Sequence, residues 1–162
     1  MKDDIQALIH QEAALLDQSL LDDWLDLYTE DAHYWIPMDE NCDPLKDSSI
    51  IYDDISRLKM RVEQIMRQHR VAQEPASQTL RMISNIDIAH TEGEHEAEAT
   101  FSMLLMEMRS GDWRQRGLGQ ITHYPAHCKA SFKKQEGAWK IQHKQIKLLN
   151  RHQPIFGLSF MI

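Results

Sequence analysis

The spacing of apolar residues changes about halfway along the chain, and this change constrains the fold more than any other feature. In residues 4–17, apolar side chains recur at the 3.6-residue spacing of an amphipathic helix. Similar spacing predicts a short helix over 20–29 and a third helix over 54–69, which Asp53 or Asp54 can cap. The second half of the sequence is typical of strands instead. Helices followed by strands predict an α+β fold, with three N-terminal helices packed on one face of a sheet.

The predicted strands are long. An apolar aromatic run closed by Pro37 predicts a first strand, a polar loop follows it at 39–48, and the Ser-Gly-Asp-Trp segment at 110–113 predicts a hairpin turn. The strands are expected at 32–37, 79–90, 94–109, 114–132 and 138–150. Gly117 and Gly119 fall in the fourth of these, where we expect a bulge or a bend. Because strands longer than the usual five or six residues coil and bend, we expect a strongly curved, mostly antiparallel sheet.

Composition restricts the possible functions. The chain has 162 residues, which predicts a single domain over 1–162. Its net charge of −7 argues against a nucleic-acid binder, because neutralising phosphates requires a basic face. The acidic N-terminus does not have the pattern of a signal peptide, and no apolar run has the length of a membrane span. We therefore expect a cytoplasmic protein in which Cys42 and Cys128 are free thiols.

The strand around residues 97–108 is apolar on both of its faces. One face carries Phe101 and Leu105, while the other carries Leu104 and Met106. A sheet with one face in water should instead alternate apolar and polar residues. We therefore expect another subunit to cover the outer face of the sheet, and the alternative is that the C-terminal tail of the same chain covers it.

The residues that redox chemistry needs are missing. A Rieske cluster needs paired Cys and His motifs, and neither Cys42 nor Cys128 has a His at the required spacing. A mononuclear iron site needs two His and a carboxylate, but the histidines are scattered, and Pro125 lies between His123 and His127. We find no nucleophile or phosphate-loop motif either. The sequence therefore predicts no catalytic, cofactor-binding or metal site on this chain.

One constellation leaves an alternative open. Asp31 and His33 are two residues apart and would point the same way in a strand, with Tyr28 and Tyr34 nearby. A His–Asp dyad in a cone-shaped pocket can abstract a proton or drive a dehydration, provided that an open apolar cavity contains it. The alternative function is therefore an autonomous isomerase or dehydratase. The competing interpretation is structural: Asp31 ends a helix–strand turn, and His33 is an ordinary polar residue of the strand. An interior filled by Trp24, Tyr28, Trp35 and methionines would exclude the enzyme.

Several segments together resemble the beta (small) subunits of aromatic-ring-hydroxylating dioxygenases. These segments are 12–38, with its Trp-Leu helix and Tyr-Trp-x-Pro strand, then 50–65, 74–86 and 146–160. In 74–86, the residues that follow the family pattern are Pro75, Ser77, Thr79, Ser84 and Asn85. Gln78, Leu80 and Arg81 depart from it, where the family often has Arg, Arg and His.

The resemblance implies a cone-shaped α+β fold, similar to the nuclear-transport-factor-2-like (NTF2-like) superfamily. It implies a non-catalytic subunit that forms a trimer and docks on alpha subunits, in an alpha3beta3 assembly in many members. It further implies that the Rieske 2Fe-2S cluster and the mononuclear iron belong to the alpha subunit, which dihydroxylates an aromatic compound with electrons from NADH through a reductase. Tyr34–Met38, Arg81 and the tail after Asn150 are the expected contacts with that subunit, and the aromatic substrate stays open.

Overall fold

The computed structural model describes residues 1–39, 41–67, 76–90, 93, 95–109, 114, 118–155 and 160–162. In this part of the chain, two helices precede two strands, and a third helix precedes the other four strands. The elements are α1 (Lys2–Asp17), α2 (Leu21–Leu25), β1 (Tyr28–Pro37), β2 (Ser49–Asp54), α3 (Ile55–Arg67), β3 (Gln78–His90), β4 (Glu96–Met108), β5 (Ile121–Gln135) and β6 (Ala138–Leu148).

The strands form one sheet in the order β2-β1-β6-β5-β4-β3. Only β1 and β6 run parallel to each other, and the other neighbours pair antiparallel. The register shifts in β3 between Ser84 and Asp87, where Asn85 has a φ of 53°, and again in β5 after Ser131. Such irregularities bend long strands. Helix α1 packs on β3 and β6, and α3 packs on β1 and β2, so the helices lie on one face of a curved sheet. The predicted α+β fold is confirmed.

The first and third helices follow the predicted pattern closely. The apolar stripe of α1 is buried, with Ile5 and Ile9 in the core. Leu58 and Val62 are the buried residues of α3, and the carboxylate of Asp54 accepts a hydrogen bond from the backbone N–H of Arg57 at 2.8 Å. This is the predicted N-terminal cap. Met66 continues the apolar spacing of this helix but is 45% exposed, and residues 68 and 69 of the predicted helix lie outside the described residues.

The region between α1 and α3 differs from the prediction. The helix predicted over 20–29 ends at Leu25, because the chain turns into β1 at Tyr28, four residues before the predicted strand. Strand β2 was not predicted at all. It is only six residues long and leads directly into α3, and it exists because it pairs with β1, with Tyr52 opposite Trp35. Non-local pairing of this kind leaves little signal in a short segment.

The start of β5 also differs from the prediction. Gly119 lies in a bend before the strand, with a φ of 71°, and its N–H donates to the carbonyl of Arg109 at 2.8 Å. Gly117 and the predicted turn at 110–113 lie outside the described residues. The strand passes through Pro125, whose carbonyl accepts a hydrogen bond from the N–H of Leu149 at 2.9 Å. Proline is unusual in a central strand, since it cannot donate to the ladder.

Both cysteines are free, as predicted. Cys128 is buried, and desolvation raises the pKa of its thiol to about 12, so it is a poor nucleophile. Cys42 lies in the loop before β2 and is partly exposed. Among the helices that the structure describes, none combines the length and the apolar character needed to cross a membrane.

Candidate functional site

The interior between the helices and the sheet holds a buried group of charged and polar side chains around Glu12. The carboxylate of Glu12 accepts hydrogen bonds from Lys144 at 2.6 Å, from the hydroxyl of Tyr28 at 2.6 Å and from the indole of Trp24 at 3.2 Å. The side chains of Glu12 and Lys144 are only 4% and 3% exposed. We call these four residues the buried cluster. They come from α1, α2, β1 and β6, so the folded chain assembles the cluster from four separate elements.

The ionisation of the buried cluster follows from its contacts. Burial by itself would raise the pKa of Glu12, but the charge and hydrogen bond of Lys144, with those of Tyr28 and Trp24, outweigh it and lower the pKa below its ordinary value. Burial and the neighbouring Glu12 carboxylate raise the pKa of Tyr28 well above its ordinary value. Glu12 is thus an ionised carboxylate that accepts three hydrogen bonds inside the core. A group held in this way joins the elements that surround it and has almost no contact with solvent.

The last residues of the printed sequence reach the same interior. Met161 and Ile162 are 2% and 0% exposed. The hydroxyl of Tyr34 donates to the main-chain oxygen of Ile162, and the guanidinium of Arg81 donates to that of Met161. Arg81 also forms an ion pair with Asp17 of α1. Tyr34 and Arg81, which we expected to contact a partner, therefore point into the core instead.

The structure does not assemble the alternative Asp31–His33 dyad. Both side chains lie on the outer face of β1, away from the helices. Asp31 is exposed and accepts a hydrogen bond from Gln142 at 2.8 Å, whereas His33 stacks on Tyr52 with 5.6 Å between the ring centroids. Tyr28 and Tyr34 are buried on the inner face. Because successive side chains of a strand point to opposite faces, the predicted constellation is divided between the two sides of the sheet.

The aromatic residues that should fill the interior are divided in the same way. Trp24 and Tyr28 are buried together there, with 4.9 Å between their ring centroids. Trp35 lies on the outer face instead, where its indole donates to Ser49 at 2.9 Å and its ring lies 6.3 Å from that of His143. Burial, together with the charges of His33 and Lys129, lowers the pKa of His143. Trp35 therefore does not help to fill the interior, because it lies on the same face of β1 as Asp31 and His33.

The outer face of the sheet carries a group of apolar side chains that water can reach. Pairing places Leu80 of β3 opposite Met106 of β4, and Met82 opposite Leu104. Pro125 of β5, which lies opposite Leu104, extends this apolar surface onto the next strand. We define the apolar patch as Leu80, Met82, Leu104, Met106, Pro125, Ile121 and Leu149. Four of these, Leu80, Met82, Ile121 and Leu149, are 56–58% exposed. A group of this size on one face of a sheet is typical of an interaction surface.

No metal site is visible in the described ranges. None of their His, Cys, Asp and Glu residues form a group of three or more that could hold a metal ion. His123 and His127 share the outer face of β5, because the strand is regular through Pro125, and both are exposed. Sequence reasoning missed the buried cluster, since Glu12 and Lys144 are 132 residues apart and neither lies in a recognisable motif.

Comparison with known proteins points to one family. The family described as ring hydroxylating beta subunit matches residues 11–153. The small oxygenase component of the p-cumate 2,3-dioxygenase system of Pseudomonas putida is 34% identical over 114 residues, which are 68% of this chain and 63% of that protein. This chain therefore aligns with somewhat less than two thirds of that relative's length.

Solved structures share the fold. The beta subunit of the benzoate 1,2-dioxygenase from Burkholderia mallei superimposes with a TM-score of 0.75 at 24% identity, over 98% of this chain and 96% of that one. An NTF2-like protein with a cystatin-like fold from Novosphingobium aromaticivorans gives a TM-score of 0.62 at 14% identity, over 92% of this chain and 82% of that one. The predicted NTF2-like fold is confirmed.

Proposed function

Because this chain belongs to the ring hydroxylating beta subunit family, we propose that it is the non-catalytic small subunit of a multicomponent aromatic-ring dioxygenase. Its role is to support an alpha subunit that dihydroxylates an aromatic compound. The Rieske 2Fe-2S cluster and the mononuclear iron belong to that alpha subunit, and NADH supplies the electrons through a reductase. The interior of this chain supports such a division of labour, because Glu12 and Lys144 neutralise each other inside the core.

The observation that carries this proposal beyond the family match is the apolar patch. Leu80 and Met82 on β3 are each more than half exposed, although they lie side by side with Leu104 and Met106. Removing such side chains from water contributes about 25 cal/mol per Å² of apolar surface. A permanent interface between subunits typically buries upwards of roughly 2,000 Å² in total, and its centre is apolar. The patch therefore fits the centre of an interface better than a surface in contact with water.

We propose that three copies of this chain form a trimer that docks on three alpha subunits, as alpha3beta3. Size-exclusion chromatography with light scattering should give at least a trimer for the chain alone at micromolar concentration. A stable monomer at that concentration, which also fails to bind a co-expressed alpha subunit, would refute the proposal. The purified chain should contain no stoichiometric iron by metal analysis. Iron retained by the chain alone would refute the assignment of the redox centres to the alpha subunit.

A matched pair of variants tests the role of the patch. Met82→Asp places a charge in the patch and should weaken assembly roughly hundredfold, because an unpaired charge buried in an interface costs several kcal/mol. Thr100→Asp adds the same charge to the polar part of the same face and should leave assembly nearly unchanged. Both positions are exposed in the isolated chain, so urea unfolding midpoints should stay close to the wild type. Equal assembly of the two variants would exclude the patch from the interface.

A further inference from the structure

The last three residues of the tail, 160–162, occupy a place in this fold that has the features of a ligand site. Met161 and Ile162 lie under the helices with almost no exposure, and Phe160 packs on Tyr124 with 5.7 Å between the ring centroids. Strand β6 ends at Leu148, and the guanidinium of Arg151 after it donates hydrogen bonds to the carbonyls of Met38 and Leu148. Residues 160–162 thus return to the interior after the chain has left the sheet.

The donors that hold the tail converge on a small volume. The hydroxyl of Tyr34 and the guanidinium of Arg81 donate to main-chain oxygens of consecutive residues, Ile162 and Met161. The α-carbons of consecutive residues are about 3.8 Å apart, so the two donors aim at neighbouring points. The side chain of Arg81 is 1% exposed and Tyr34 is fully buried. Both donors are therefore shielded from water while the tail is in place.

The tail satisfies these donors only in part. The Nε–H of Arg81 is buried and has no hydrogen-bond partner, whereas Nη2 bonds Met161 and Nη1 bonds Asp17 and Thr79. Nε and Nη2 form one side of the guanidinium fork, which matches the two oxygens of a carboxylate. A single main-chain oxygen uses only half of that side. A buried donor without an acceptor is costly and rare in native proteins.

We infer that the space filled by Met161 and Ile162 is a binding site for a small apolar carboxylate, which competes with the tail. The carboxylate occupies Nε and Nη2 of Arg81, and one of its oxygens accepts from Tyr34. The apolar body replaces the side chains of the tail. The site lies on the inner face of the sheet, opposite the apolar patch, so it does not depend on the assembly proposed above.

The test uses a chain shortened by residues 160–162, with 4-methylpentanoate as the probe and 4-methyl-2-pentanone as its uncharged analogue. Circular dichroism first establishes that the shortened chain unfolds cooperatively. Isothermal titration should then show one carboxylate bound per shortened chain, roughly tenfold more tightly than the ketone, because charge-assisted hydrogen bonds are stronger than neutral ones. Arg81→Lys keeps the charge without the fork and should remove most of this preference. Equal binding of both probes, or binding of neither, would overturn the inference.

A second measurement uses the full-length chain and does not require the shortened chain to fold. Ile162→Cys, made together with Cys42→Ser, places a thiol on the tail, and buried Cys128 serves as the internal unreactive control. The thiol should react slowly with a maleimide, and saturating 4-methylpentanoate should speed its labelling at least several-fold by displacing the tail. Labelling that 4-methylpentanoate leaves unchanged would contradict competition between the tail and the carboxylate.

Discussion

Lys144→Met should destabilise this protein more than most single substitutions, because it leaves the carboxylate of Glu12 charged and buried without its cation. The two side chains are 2.6 Å apart and almost fully buried, so solvent does not screen them. Breaking a buried ion pair by removing one partner costs about 3–5 kcal/mol. For a chain of this length, such a loss lowers the melting temperature by roughly 6–20 °C.

The double variant Glu12→Gln with Lys144→Met tests whether the unpaired buried charge is what destabilises Lys144→Met. The amide oxygen of Gln can still accept hydrogen bonds from Tyr28 and Trp24, and no buried charge remains. We therefore expect the double variant to be more stable than Lys144→Met alone, whereas Glu12→Gln alone should also be destabilised, since it leaves Lys144 unpaired. The sum of the stability losses of the two single variants should exceed the loss of the double variant by roughly 2 kcal/mol or more.

The pH dependence supplies an independent check on the same residues. In the wild type, the folded pKa of Glu12 is below its ordinary value of 4.5, so the stabilisation that it supplies is present above that pH and is lost as pH falls. In Lys144→Met, burial is no longer opposed by the cation, so the pKa of Glu12 should rise. The loss of stability of Lys144→Met relative to the wild type should then shrink as pH falls from 7 toward 5, because protonation of Glu12 removes the buried charge.

Urea unfolding, followed by tryptophan fluorescence at one fixed protein concentration, measures the free energy of unfolding of all three variants. A fixed concentration is needed because assembly contributes to apparent stability. Simple additivity of the two single losses would refute the claim that the residues act as a pair. A loss below about 1 kcal/mol for Lys144→Met at pH 7 would refute the claim that the cation is needed to balance a buried charge.

Two further predictions concern single side chains. The folded pKa of His143 lies below its ordinary value of 6.5, so the unfolded chain binds the proton more readily, and wild-type stability should fall as pH drops through the range just below that value. His143→Gln should flatten this part of the pH curve, and an unchanged curve would contradict the assignment. Asp54→Ala should cost about 1 kcal/mol by removing the N-terminal cap of α3, whereas Asp54→Asn, which keeps an acceptor, should cost much less in the same urea titration.

Local pattern in the sequence was enough to predict the main elements. The 3.6-residue spacing identified α1 and α3, because an amphipathic helix must bury one continuous stripe whatever it packs against. The long strands were recognisable for a similar reason, and the expectation that another subunit covers the outer face of the strand at 97–108 stays a prediction. Its partners on neighbouring strands, such as Leu80 and Met82, were not part of that prediction, since register decides which residues lie side by side.

Features that depend on contacts between distant segments could not be read from the sequence. Strand β2 is too short to carry a pattern of its own, and the pairing with β1 creates it. The face to which Trp35 points depends on where β1 begins, because a shift of one residue reverses every side chain.

The interior of the protein shows most clearly what local pattern predicts and what only distant contacts decide. Sequence alone predicted an amphipathic α1, but nothing in its pattern indicated that Glu12 is buried or which residue is its partner. Only the tertiary structure brings Lys144 to it across the sheet, and brings the tail to Tyr34 and Arg81. Periodicity is a property of neighbouring residues, whereas a buried charge is tolerated only through contacts that the whole fold assembles.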